Sequence, residues 1–330
     1  MNFTPIGKAG GRVNTEIVSS TSTQPKSRFD HIKRTVYKER QLWLISIPMI
    51  LWVLVFCYIP MYGIIIAFMN YIPGKPMFSS DWVGFLHFKT FFHSPDFWHV
   101  IRNTLAISGL GIVFGFTAPI ILALLLNELR GRIFKRFVQT VSYLPHFISW
   151  VVVASILFAT LGNEGFMNDI LLRLGFIDKP ISFLGEGKYF WGVLTTTNVW
   201  KDVGWATIIY LSAIAGVDSE LYDAGKVDGL GRFGMVWHII LPSIRPTIVL
   251  LFILGIGGIL NAGFEQQLLI GNSQTREYYE VIDTYAYKYG IQLGNYSYGA
   301  AIGFLKGIIS LLLVLAANRI SKKALDTSIL

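Results

Sequence analysis

Read along its hydrophobic positions, the chain falls into six long apolar stretches separated by polar segments. A bilayer-crossing helix takes about 20 mostly apolar residues. The six stretches run from about Leu42 to Met69, Ile101 to Leu126, Val138 to Leu161, Phe190 to Ala215, Ile244 to Phe264 and Tyr298 to Ala317. Pro48 and Pro60 predict kinks in the first, because proline removes a helical hydrogen bond. Lys201 and Asp202 interrupt the fourth, and Lys306 the sixth. Gly255, Gly257 and Gly258 in the fifth predict close approach of a neighbouring helix. The pattern predicts an all-α integral membrane fold. It has a tail over residues 1–40, a six-helix transmembrane domain over 41–320, and a short tail over 321–330.

The positive charges orient these spans. Eighteen Lys and Arg fall on one side, in the N-terminal tail, the loop around Arg130 to Arg136, the loop around Lys226 to Arg245, and the C-terminus. Seven fall on the other, from Lys75 to Lys288. The excess of Lys and Arg on cytoplasmic loops predicts both termini inside, which requires an even number of spans. The loop over about 216–245 is then cytoplasmic.

Composition agrees: 53% of the 330 residues are hydrophobic and 15% charged, with a net charge of +8. A soluble domain carries about 25% charged residues. The basic run His31 to Arg40 reads as a topology signal in contact with lipid headgroups, and no nucleic-acid module accompanies it. No His/Cys spacing suits a metal: His87, His93 and His99 recur every six residues and do not share a helix face. They read as loop and interface residues. The single cysteine, Cys57, reads as packing.

Gly229-Leu-Gly231-Arg-Phe-Gly234 has the spacing of a dinucleotide loop. Such a loop must follow a strand and open a helix in a βαβ unit, and here a predicted span lies on either side. No G-x-x-x-x-G-K-[ST] occurs anywhere. The chain is thus expected to bind no cofactor. The segment Asp223 to Pro242 reads instead as two short helices around a turn. Asp218 or Ser219 can cap the first. Leu221, Ala224 and Gly225 give it a face that another surface could approach closely. Asp228-Gly229 supplies the turn, Gly229 suiting a left-handed helix end. A second helix runs from about Leu230 to Ile240, and Pro242 and Pro246 mark the return to the membrane. The segment suits a lever; the alternative is an amphipathic loop resting on the bilayer.

Asp223, Ala224, Gly225, Gly229, Ile239, Leu241 and Pro242 resemble the cytoplasmic signature of permeases of bacterial binding-protein-dependent ABC importers: Glu-Ala-Ala, three residues, Gly, nine residues, Ile-x-Leu-Pro. Five of the seven positions match. Tyr58 to Phe68, Asn103 to Leu105, Leu144 to Val152 and His238 to Thr247 resemble the carbohydrate-uptake branch, and within it the LplB-like and alginate-importer-like permeases of oligosaccharides and polysaccharides. The resemblance implies a type I importer. A second permease subunit, often a different one, two cytoplasmic ATPases and an extracellular sugar-binding protein complete it. The helix matching Ser219 to Asp228 docks on an ATPase, and Asp223 and Lys226 on it can supply charge-assisted contacts. ATP and magnesium are held by the partner, so this chain is not itself an enzyme.

Ionisable residues inside a membrane are costly and usually face a cavity or each other. The candidates for the path are Asn198, Lys201, Asp202, Asn261, Glu265, Gln267 and Lys306, with Trp200, Trp205 and Phe264 close by in sequence. Planar polar groups suit sugar hydroxyls, and aromatic faces suit C–H surfaces. In the alternative, Lys201 pairs with an acid and holds helices together. Two unpaired lysines would favour an acidic sugar such as a uronate, unless Asp202 and Glu265 neutralise them. A secondary transporter of a small polar solute is the competing class; it would need no ATPase. A membrane enzyme lacks a nucleophile with its base, and an exporter half lacks nucleotide motifs.

Overall fold

The computed structural model of the chain describes residues 38–325. The greater part of the basic tail and the last five residues lie outside the described residues, and with them six of the eighteen Lys and Arg that orient the spans. Two compact units emerge, divided between Tyr62 and Gly63. In the first, α1 (Arg40–Val53) runs through Pro48 into a π-helical turn at Leu54–Tyr58. All its side chains are exposed, and so is Cys57, which does not pack within the unit.

The second unit is helical, and among the described residues the only β pairing is an isolated bridge between Met69 and Trp82. Its elements are α2 (Leu86–Phe92), α3 (Phe97–Leu110), a π-helical turn (Gly111–Phe116), α4 (Thr117–Glu128), α5 (Arg132–Tyr143), α6 (Trp150–Leu161), α7 (Phe166–Arg173) and α8 (Gly187–Ala215). Then come α9 (Ser219–Val227), α10 (Arg232–Met235), a second π-helical turn (Val236–Ile240), α11 (Leu241–Gly257), α12 (Phe264–Ile270), α13 (Arg276–Tyr279), α14 (Ile282–Tyr287) and α15 (Tyr296–Leu325).

Among the described residues, five helical stretches are long and apolar enough to cross a membrane: Arg40–Phe68, Phe97–Glu128, Trp150–Arg173, Arg232–Gly257 and Tyr296–Lys322. The expected fourth span, α8, has the length at 29 residues but carries Lys188, Lys201 and Asp202. Two expectations need correction. The stretch expected as one helix from Val138 to Leu161 is broken: α5 ends in a 3₁₀ turn at Leu144–Phe147, and α6 restarts at Trp150. Pro145 cannot donate a helical hydrogen bond. Ser149 sits extended and accepts from the Val152 amide at 3.4 Å, an N-cap that begins the new helix.

The fifth stretch, expected to begin at Ile244 after a separate short helix, is helical from Arg232 to Gly257. Pro242 and Pro246 lie within it rather than before it, and the π-helical turn ahead of Pro242 takes up the missing bond. The helix stops at Gly257, so Phe264 belongs to the next element.

Packing explains the glycines unevenly. A Cβ on Gly257 would meet Val314 at 2.8 Å, so α11 and α15 do approach closely there, whereas nothing lies within 4 Å of one on Gly255. Apolar clusters join the helices, one uniting Ala123 of α4 with Tyr210 and Ile214 of α8, and with Ile240 and Ile244 at the start of α11. The polar segment from Gly271 to Asn295 is fastened to α3 by buried side chains. Asn103 donates to the carbonyls of Glu277 and Glu280 at 2.9 and 3.0 Å, and the Ile282 amide donates to Thr104 at 3.1 Å. The buried Glu280 carboxylate pairs with Arg276 at 3.3 Å and Lys288 at 3.2 Å. Its charge raises the Arg276 pKa above the ordinary guanidinium value against the opposing effect of burial. His87 is buried, its Nε2 3.0 Å from the Met69 carbonyl, as a structural side chain.

Candidate coupling segment and polar path

The segment from Asp218 to Pro242 is built from its own backbone geometry. Asp218, rather than Ser219, caps α9: its Oδ1 accepts from the Glu220 amide at 2.9 Å. At the other end the Gly229 amide donates to Lys226 at 3.1 Å and the Leu230 amide to Gly225 at 2.9 Å. This crossed pair satisfies the last carbonyls of the helix. It requires the left-handed backbone that Gly229 adopts at φ 75°.

The expected face of Leu221, Ala224 and Gly225 is divided. Leu221 and Ala224 are exposed, but Gly225 is buried against the chain's own next helix. A Cβ there would meet Ile239 at 2.5 Å and Met235 at 3.1 Å. Gly225 therefore seats α9 on the root of α11, and the outward face is left to Leu221, Asp223, Ala224, Lys226, Val227 and Asp228. Lys226 and Asp223 pair at 2.7 Å on that face, both side chains more than two-thirds exposed. Leu241 and Pro242 continue into α11, flanked by the buried Ile240 and Ile244. Tyr222 is half-buried; burial, and then the charge of Glu128, raises its pKa. Through Tyr222 and Gly225, α9 thus rests on the apolar cluster shared by α8 and the start of α11.

The polar residues of the spans do not form one group. Asn198 and Asn261 line a common cavity of about 340 Å³ between the π-helical turn Gly111–Phe116, α8 and the unwound stretch after α11. There Gln266 donates to the Asn198 side chain at 2.6 Å. Glu265 is exposed on the first turn of α12. Gln267 is fully buried and donates to the Ala262 carbonyl at 3.0 Å, holding the unwound stretch. Lys306 is engaged by Asp283 of α14.

Among the described residues, no acid pairs with Lys201. It is buried, donates to the His146 carbonyl at 2.6 Å, and lies 5.7 Å from the Trp150 ring centre. These contacts finish the end of the helix broken at Pro145. Asp202, the next residue, meets the ring of the same histidine: its carboxylate is 2.9 Å from His146 Nδ1 and half-exposed. The His146 ring lies flat on Trp205, 4.6 Å between centres with 3° between planes. Asn198, Lys201, Asp202 and Trp205 are spaced three, four and seven apart, which places them on one side of α8. His146 was absent from the sequence-derived set. The signal available was Pro145 in the middle of an apolar stretch, which marks a break where backbone and side chain become accessible.

A unit of long apolar helices, with charged groups gathered on one side of α8 and an exposed capped helix at the root of α11, defines a polytopic membrane protein. Residues 115–326 match the model of the binding-protein-dependent transport system inner membrane component. The chain belongs to that family, a non-enzymatic membrane component of ABC transporters. Among curated relatives, it is 45% identical over 287 residues to protein LplB of Bacillus subtilis, covering 87% of this chain and 90% of the relative. It is 43% identical to the polygalacturonan/rhamnogalacturonan transport system permease protein YteP of the same organism, covering 87% and 89%. Among solved structures, it superposes on a chain of the bacterial alginate ABC transporter in complex with alginate pentasaccharide-bound periplasmic protein. There the TM-score is 0.82 and the identity 37%, over 90% of this chain and 99% of that one.

Proposed function

We propose that the chain is one permease subunit of an ATP-driven importer of an oligosaccharide or polysaccharide, with α8 as a sixth span and both termini cytoplasmic. In this reading α9 is the coupling helix and docks on a cytoplasmic ATPase. Two such ATPases hold ATP and magnesium, and a second, different permease subunit and an extracellular sugar-binding protein complete the transporter. The tails at residues 1–40 and 321–330 lie in the cytoplasm, and the domain between them crosses the membrane.

The observation that carries the reading is the placement of charge on α8. A helix of 29 residues extends about 43 Å at 1.5 Å per residue, enough to cross the hydrocarbon. Lys201 and Asp202 lie at its middle. A charge at that depth costs roughly 2.5–3.5 kcal/mol on insertion scales if it faces lipid. Lys201 avoids this by burial among carbonyls. Asp202, half-exposed beside His146 and Trp205, is accounted for by a water-filled path. A carboxylate and an imidazole offer hydrogen bonds to hydroxyls, and the indole offers a face to C–H groups. Lys306 is matched by Asp283, and the buried Lys201 is offset by the half-exposed carboxylate of Asp202 beside it, so these four charges sum to zero. An acidic sugar is supported by the relatives named for polygalacturonan and alginate rather than by a net charge at this wall.

Co-expression with the candidate partners, purification and uptake into vesicles tests the reading. An ATPase should co-purify, and uptake of a uronate oligosaccharide should require ATP and binding protein. Uptake driven by an ion gradient, with no ATPase attached, would instead establish a secondary transporter. A preference for a neutral oligosaccharide of equal length would remove the acidic assignment alone.

A further inference from the structure

The helix α5 carries charges that the importer reading leaves unused. Arg132, Lys135 and Arg136 lie on it, and Arg130 precedes it. Glu128, an acid close by in sequence, is engaged by Arg232 at 3.8 Å. Among the described residues, no carboxylate pairs with any of these four cations.

At about 100° per residue, Ile133, Phe137, Val141 and Leu144 share one side of α5, with Arg132 and Arg136 at its edge. All four apolar side chains are exposed, Ile133 to 88% and Phe137 to 62%. The other side, with Lys135, Val138, Gln139, Ser142 and Tyr143, is half-buried. It packs on α8 so closely that a Cβ on Gly204 would collide with the Ser142 carbonyl. The bare Gly204 thus fixes which side of α5 looks outward. On that side Arg132, Ile133, Arg136, Phe137 and Thr140 line an open recess of about 610 Å³. The Thr140 hydroxyl turns back to the Arg136 carbonyl at 2.9 Å, which leaves the two guanidiniums as the strong donors there.

Charge and apolar surface are ordered along the helix. α5 runs into the break at Pro145, which Lys201 ties to the middle of α8. At 1.5 Å per residue, the helix rises about 18 Å from Arg132 to Leu144 and about 12 Å from Arg136. Half the hydrocarbon thickness is about 15 Å. With Leu144 at mid-depth, both arginines reach the boundary between acyl chains and headgroups, Arg136 by extending its apolar stem. Guanidiniums at that boundary suit phosphate oxygens, and the stripe inward of them suits an acyl chain. A free anion would use the charge and leave the stripe uncovered. The topology reading puts the arginine end in the cytoplasmic leaflet, where anionic lipids attract basic side chains.

We propose that the outer face of α5 is a binding site for one anionic phospholipid, its phosphate held by Arg132 and Arg136 and an acyl chain lying along Ile133, Phe137, Val141 and Leu144. The leaflet follows from the proposed topology. The site itself depends on neither the sugar nor the ATPase contact.

The test measures lipid binding to the complete transporter in detergent, by mass spectrometry of the intact complex. The probes are dioleoyl phosphatidylglycerol, dioleoyl phosphatidylcholine and inorganic phosphate. Phosphatidylglycerol should bind about tenfold tighter than phosphatidylcholine. Arg132→Gln and Arg136→Gln should each weaken it about fivefold, and the double variant about 25-fold. Phe137→Ser should weaken both lipids about tenfold and keep the headgroup preference. Lys135→Gln, on the inward side, should change neither. An equal loss from Lys135→Gln would mean a diffuse surface potential and would refute a site. Displacement of the lipid by an equal concentration of inorganic phosphate would refute the acyl contact. A double variant that loses a second permease subunit but binds phosphatidylglycerol as wild type does would make this face a protein contact, and the lipid site would fall. Both arginines are exposed, so the variants should fold, and an unchanged unfolding midpoint checks it. Because no transport is measured, failure of uptake would count against the importer reading alone.

Discussion

The helix ends at Gly229 and at Pro145 are completed by different means. At Gly229 the helix α9 ends on its own backbone, its last carbonyls taken by the amides of Gly229 and Leu230. At Pro145 the helix α5 ends on another element, where the buried Lys201 of α8 reaches across 55 positions to the His146 carbonyl. The first interruption is local and exposed. The second is tertiary and lies at the level of the middle of α8. A local break keeps its form while the rest of the molecule moves, as a lever must. A break held by a distant lysine ties its geometry to the separation of two helices, so it reports or resists their movement.

The largest effect should come from cutting the tertiary tie. Lys201→Met removes the donor and leaves the His146 carbonyl without it. With a charged donor lost, the expected cost is about 3 kcal/mol. Thermal unfolding of the solubilised transporter should show it as a lowered midpoint. Combined with Pro145→Ala, the loss should be partly relieved, because an alanine amide restores a bond that continues the helix. A double-mutant cycle with no coupling would mean that Lys201 and the break are independent.

Next is the seat of the local break. Gly225→Leu puts a side chain where Ile239 and Met235 already lie, and overpacking of this kind costs about 1–3 kcal/mol. About 2 kcal/mol is expected, with α9 tipped away from α11. ATPase association should weaken while the transmembrane part remains assembled. Retained association would show that α9 docks without being seated on Gly225.

Gly229→Val tests the turn alone. There is space for a side chain at this position, so the cost is conformational, about 1–2 kcal/mol for an L-residue in the left-handed region. Insertion into the membrane should be unaffected, and ATP hydrolysed per sugar imported should rise. Normal coupling in this variant removes the lever assignment. Asp218→Ala, at the opposite end of α9, loses one cap and should cost about 1 kcal/mol, seen as a smaller change in the same ratio.

The two breaks also explain what could be read from the sequence. The cap, the turn glycine and the exposed charges of α9 are encoded within about a dozen consecutive residues, so their positions follow from spacing. The joining of the second short helix to α11 was missed because Pro242 and Pro246 look like stops. A π-helical turn and the burial of Ile240 and Ile244 carry the helix through them. For the polar path, hydropathy identified the residues but not their company. Asn198, Lys201 and Asp202 occupy adjacent turns of α8, yet one meets Gln266, one the His146 carbonyl and one the His146 ring. Which neighbour each finds depends on helix packing, and nothing in local spacing records it. The assignment of Lys201 to an acid partner or to the path had no way to anticipate a set of carbonyls that exists only because another helix is broken.

The smallest effect sharpens the comparison from the other side. Lys226 and Asp223 form a close pair, but both side chains are largely exposed, and such pairs contribute under about 1 kcal/mol. Lys226→Ala should therefore leave the unfolding midpoint within about 0.5 kcal/mol of wild type, in contrast to Lys201, though both are lysines in contact with helix neighbours. Lys226→Glu should be nearly as mild for stability, placing a like charge beside Asp223. Its effect should appear in the strength of ATPase association and in how that strength depends on salt, since exposed charges are screened over about 8–10 Å at physiological ionic strength. A large loss of stability from either variant would mean that this face of α9 is buried in the resting transporter. A loss of association alone would place the charge at the docking surface, where the backbone of the lever is rigid and only its side chains meet the partner.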